Sequence, residues 1–160
     1  VFTLGYDRNF ALGVFLFSGE KNTDDDFAAY CDSIEWIKAT LREKPGALAP
    51  CGIAVADPGN PPPNAHWRRG IAAVSATGFP RRTRYAMVSR SPLVRGVVTA
   101  INWLRPPPYE VMVCSTFAEA VRWMEELRGV RLPLFDALLA EARDRAERGE
   151  RLPPMIRRPA

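Results

Sequence analysis

RYAMVSRSPLVRGVVTAINWL, residues 84–104, is the stretch that decides the fold. Arg84–Ser89 mixes aromatic, branched and small apolar side chains as a short strand does, and Ser91-Pro92 supplies a helix N-cap and a first-turn proline. Leu93, Val94, Val97, Val98, Ile101 and Leu104 then recur at helical spacing. Parallel strands need a crossover to connect them, so a strand that gives way to a helix within three residues is the repeating unit of a helix-covered parallel sheet.

The same alternation extends in both directions. Upstream, Cys51–Ala56 is a short apolar run that reads as a buried strand. The loop Asp57–Asn64, stiffened by Pro61, Pro62 and Pro63, leads to a helix over 65–76 with Trp67, Ile71 and Val74 on one stripe. Earlier still, Val1–Tyr6 and Ala11–Phe17 flank a turn at Asp7-Arg8-Asn9, which predicts an antiparallel hairpin. Thr23-Asp24-Asp25-Asp26 has the form of a capping box, and Phe27, Tyr30, Cys31, Ile34, Ile37 and Leu41 follow at helical spacing until Pro45-Gly46. Downstream, Glu110–Cys114 reads as a strand and Thr116–Glu119 as a second capping box, opening a helix with Phe117, Ala120, Val121, Met124 and Leu127 inward. A last helix runs from Pro133 to about Gly149 on the face Leu134, Phe135, Leu138, Leu139 and Ala142.

The element order is therefore ββαβαβαβαα, an α/β domain over residues 1–149 with a hairpin-led, mixed, largely parallel sheet and flanking helices. Residues 1–128 form its core, 132–149 an appended C-terminal helix, and 150–160 a Pro- and Arg-rich flexible tail. About four crossover helices are expected, distributed over both faces.

With 160 residues, 47% of them hydrophobic, the chain can bury one sizeable core. No apolar run approaches the ~20 residues of a membrane-spanning helix, and the first residues lack the basic start and apolar stretch of a secretory signal; the absence of an initiator Met is consistent with trimming. Cys31, Cys51 and Cys114 lack a C-x-x-C pattern and share the chain with a single histidine, so buried thiols in a cytoplasmic protein without metal or cofactor are expected. The net charge of +4 conceals a division: residues 1–57 are net −4, residues 58–109 carry eight arginines and no acid, and residues 110–160 balance. A basic middle third steers anions or acidic partner surfaces. Nucleic acid is the weaker partner reading, because Arg81-Arg82-Thr83-Arg84-Tyr85 leads into a strand and no helix-turn-helix pattern or aromatic platform accompanies it.

Three groups of residues are candidate sites. Asp57, Asn60, Asn64 and His66 lie at a strand-end loop, where α/β folds place ligands, although a polar first-turn residue accounts for His66 more simply. Ser89 and Ser91, with Arg68, Arg69, Arg90 and Arg95, offer an anion or partner contact at a helix N-terminus, or else ordinary capping with solvated arginines. Leu134, Phe135, Leu138 and Leu139 give the last helix an apolar face for its own sheet, for a second copy or for another protein. Trp36, Trp67, Trp103 and Trp123 all fall at or beside apolar helical stripes, so that any of them left exposed marks an interface.

The opening hairpin, the strand ending at Asp57, the strand Tyr85–Val88 followed by Ser91–Gly96, and the closing segment Phe117–Met124 with its Ala-x-x-Trp element together resemble the STAS-like fold of bacterial anti-sigma-factor antagonists over residues 1–128. The resemblance implies a non-enzymatic regulatory or scaffolding domain that binds another protein, or an apolar ligand between sheet and helix as in lipid-carrier relatives. In the antagonists a phosphorylated Ser or Thr after the third strand switches partner binding. Here Asp57–Asn64 holds no hydroxyl residue, which sets the usual phospho-switch aside. Two functions are thus expected: a cytoplasmic protein-interaction domain, and a binder of small anionic or lipid ligands, or an enzyme, at the Asp57–His66 loop and the Ser91 helix.

Overall fold

A computed structural model describes residues 1–43 and 48–150. β1 (Phe2–Asp7) and β2 (Leu12–Phe17) form the expected hairpin, Phe2 opposite Phe17 and Asp7 opposite Leu12. Its turn is closed by the Asp7 carboxylate, whose Oδ1 accepts from Asn9 N (2.9 Å) and Phe10 N (2.8 Å). Parallel pairing then adds β3 (Cys51–Ala56), β4 (Arg84–Ser89) and β5 (Glu110–Cys114), giving a five-stranded sheet in the order β1-β2-β3-β4-β5. The helices are α1 (Asp24–Glu43), α2 (Ala65–Ser75), α3 (Pro92–Leu104), α4 (Phe117–Arg128) and α5 (Leu134–Glu147).

This strand order corrects the expected distribution of helices. Each parallel strand is laid on the same side of its predecessor, and a crossover of fixed right hand then falls on the same face every time. Three crossovers, α1 to α3, rather than about four, cover that face. The other is covered after the sheet is complete: α4 lies under β3–β5 and α5 under β1 and β2.

Two cores result, divided by the alternation of side chains along the strands. Toward α1 point Phe2, Leu4, Phe15, Phe17 and Ala54, packed on Phe27, Tyr30, Ile34 and Ile37. Toward α4 and α5 point Leu12, Val14, Leu16, Ile53, Val55, Ala86 and Val88, packed on Ala120, Met124, Phe135 and Leu138. α5 approaches β1 so closely that a Cβ on Gly5 would stand 2.3 Å from the Leu138 carbonyl oxygen, and Thr3 Oγ1 donates to Ala142 O at 2.8 Å.

Local signals hold at most boundaries. Thr23 and Asp26 bond reciprocally at the start of α1, and Thr116 and Glu119 do so at the start of α4, which ends on Gly129 in the left-handed region (φ 66°). The stop expected at Pro45-Gly46 and the tail from 151 onward lie outside the described residues. No helix among the described residues is long and apolar enough to cross a membrane.

Candidate functional site

The crossover face is unevenly filled. α1 contributes a continuous buried stripe, whereas α2 has no buried residue and among the described side chains of α3 Val94 is the buried one. Side-chain size explains the difference. Gly52, Ala54 and Ala56 recur at alternate positions of β3 and so fall on this one face, while Cys51, Ile53 and Val55 take the other. Gly52 is covered by the rings of Phe15 and Tyr85, but Ala54 and Ala56 face the small residues Ala72 and Ser75 of α2 and its C-cap Ala76. Short side chains on both walls leave a gap that neither closes.

That gap is an open, largely apolar cleft of about 140 Å³ between the sheet and helices α2 and α3. Tyr85 and Met87 complete its floor, and Ile71, Val94, Val98 and Ile101 form its apolar walls. Asn60 and Arg68 line one end, at the carboxyl edge of β3; Asn102, Arg105 and Tyr109 line the other, at the amino edge of β5.

Several of its polar groups are engaged. Tyr30 and Tyr85 share a hydroxyl–hydroxyl bond of 3.1 Å. Burial, and for Tyr30 the neighbouring phenols as well, raises both well above the ordinary tyrosine value; burial likewise raises Tyr109, against the opposing bond from Ser75. All three are therefore neutral phenols, able to donate a hydrogen bond and not to act as anions. Asn60 is buried, with Nδ2 donating to Gly19 O (3.0 Å), and pairs reciprocally with the Asn22 amide. The Arg68 guanidinium donates to Pro63 O at 2.9 Å, which fixes it beside the opening while four of its five donors stay available for other acceptors.

The cleft draws on only two of the residues singled out from sequence, Asn60 and Arg68. Asp57 turns toward the opposite face, where Arg143 of α5 holds it in a two-pronged ion pair (3.1 and 3.3 Å). Asn64 caps α2, accepting from Trp67 N at 3.0 Å, and His66 is exposed with its ring edge-on to Trp67. Ser91 caps α3 through Val94 N (3.3 Å), and buried Ser89 accepts from Ser91 N (3.2 Å). Arg95 folds back to donate to Ser89 O (2.8 Å) and Arg90 O (3.1 Å), while Arg69 and Arg90 are exposed. The two serines and His66 do not converge on the cleft, so no hydroxyl–imidazole pair lines it.

On α5, Phe135 and Leu138 are fully enclosed in the chain's own core, with Leu134 and Leu139 packed beside them. That apolar stripe is occupied by the sheet.

The tyrosines, Asn102 and Arg105 escaped the reading of the sequence because each lies on a different element. The run of small residues at 52, 54 and 56 was the one local sign of a gap. Compared with protein-family models, curated proteins and solved structures, the chain has no match.

Proposed function

We propose that this chain is a non-catalytic binding domain for a small amphipathic anion, whose apolar body occupies the cleft and whose acidic head meets Arg68 or Arg105 at its ends. The observation that carries this reading is the cleft itself: an apolar gap with a cation at each end and neutral hydrogen-bond donors along it. A cavity of similar size lined by aliphatic and aromatic side chains holds a ring of about six carbons, which sets the scale of the buried segment. The cleft is open, so a longer chain extends beyond it.

Of the two functions expected from the sequence, ligand binding draws support from the apolar cleft. The protein-interaction reading implied by the STAS-like resemblance draws support from the exposed Arg69, Arg90 and Trp103.

Thermal denaturation with straight-chain carboxylates of six to twelve carbons, beside the alcohols of equal length, tests the proposal. Binding at a hundred times Kd stabilises a protein by about 2.7 kcal/mol, enough to read as a clear rise in Tm. The acids are expected to stabilise more than the alcohols, and Ala72→Leu, which fills the cleft, to abolish both effects. Equal response to acids and alcohols, or no response to either, rules the reading out.

A further inference from the structure

α3 carries a second apolar stripe, turned away from the cleft. Helical spacing aligns Leu93, Gly96, Ala100 and Trp103 on it, and Leu93 is 67% and Trp103 83% exposed. The two large side chains lie roughly 15 Å apart along the axis, with small residues between them. A helix that is apolar on both sides belongs in a core or against a second apolar phase. Among the described residues α3 has no such cover: it lies over β4 and the edge strand β5, at the end of the sheet.

The charge around it is of one sign. Residues 58–109 contain eight arginines and no acid. Among the described residues only Arg84 of these joins an ion pair, with Glu110 at 2.9 Å. Arg90 and Arg95 belong to the end of α3 that presents Leu93. Arg81 and Arg82 lead into β4 at the sheet edge where α3 finishes, and Arg105 follows Trp103 by two residues. Five guanidinium groups without an ion-paired carboxylate among the described residues thus lie at the two ends of the helix that presents these exposed apolar anchors.

We infer that the outer stripe of α3 docks on an anionic membrane surface, Trp103 and Leu93 entering the headgroup region and the surrounding arginines meeting lipid phosphates. Amphipathic aromatic rings settle at that depth, and arginine pairs with phosphate through its planar fork. The stripe has small residues between its anchors, and a fluid surface takes it up without a shaped pocket. The inference also rests on the carrier reading, since Asn102 and Arg105 put one end of the cleft beside Trp103, so that docking turns the opening toward the bilayer.

Co-sedimentation of the full chain with phosphatidylcholine vesicles, with and without about one-third phosphatidylglycerol, tests it. Only the anionic vesicles are expected to retain the protein, with retention falling at high salt. Trp103→Ala is expected to weaken partitioning about tenfold, and Arg82→Glu with Arg90→Glu by at least as much, since each arginine near such a surface contributes about fivefold. Equal binding to neutral vesicles, or full binding by Trp103→Ala, overturns the inference. So does a Trp103-dependent dimer in sedimentation, or Trp103-dependent binding of polyglutamate in place of vesicles. The Ala72→Leu variant separates the two readings: it is expected to lose the carboxylates and keep the vesicles. Vesicle binding that needs Trp103 in a protein that binds no carboxylate leaves docking standing and removes the carrier.

Discussion

Asp26 shows how one side chain ties the ends of two elements together. Its carboxylate is buried yet accepts from Thr23 N, Thr23 Oγ1 and Phe2 N, at 2.8, 2.9 and 3.0 Å. Burial pushes its pKa up, but those bonds outweigh it and hold the group below its usual 3.8. A depressed carboxyl contributes stability that is complete above the usual carboxyl range and lost as pH falls through the lowered value. Asp26→Asn is therefore expected to cost about 2 kcal/mol at neutral pH, as expected for hydrogen bonds to a charge, and to flatten the loss of stability below pH ~4. Urea midpoints measured from neutral to acid pH check both, and an unchanged acid limb contradicts the assignment. The carboxylate was legible from sequence as part of a capping box; its bond to Phe2 was not, because that partner lies 24 residues away.

At the scale of elements, the docking of α5 on β1 depends on a missing side chain. An alanine at position 5 would gain up to about 1 kcal/mol from restricted backbone freedom, but its Cβ would stand 2.3 Å from Leu138 O, and backbone cannot rotate away. Overpacking of that kind costs about 3 kcal/mol and decides the sign. Gly5→Ala is expected to lower Tm by roughly 6 °C, read by circular dichroism; a neutral or stabilised variant contradicts so close an approach. Periodicity located the helices correctly but could not assign their sides when both were apolar. Leu93 and Val94 belong to the same apolar spacing on α3, yet Leu93 is exposed while Val94 is buried. An apolar stripe facing water is invisible to a pattern that equates apolar with inside.

For the molecule as a whole, the element order was legible because capping residues, prolines and apolar spacing are local. The gathering of three crossover helices on one face was not, since it follows from which strand neighbours which. The same limit hid the cleft, whose lining comes from β3, β4, α2 and α3 together. The consequence is an uneven molecule, firm on the α5 face and loosely filled under α2. Trp67 stacks on Phe27 (5.3 Å) and donates to Asp24 Oδ1 (2.7 Å), which ties α2 to α1 more than to the sheet. In hydrogen exchange, α2 amides are expected to open well before those of α1 and α5, and a bound carboxylate to protect α2 and α3 selectively. Uniform exchange across all five helices counts against this division.

Because the sheet separates the two cores, substitutions at Ala54, Ala72 or Ser75 reshape the cleft without disturbing the contacts that hold α4 and α5. The fold rests on the contacts of α1, α4 and α5, and the α2 wall of the cleft is the part left to vary. Such an arrangement is open to evolution and to engineering alike: a guest of new shape can be accommodated by exchanging small residues for slightly larger ones on a single wall, while the scaffold that expresses and folds them stays the same.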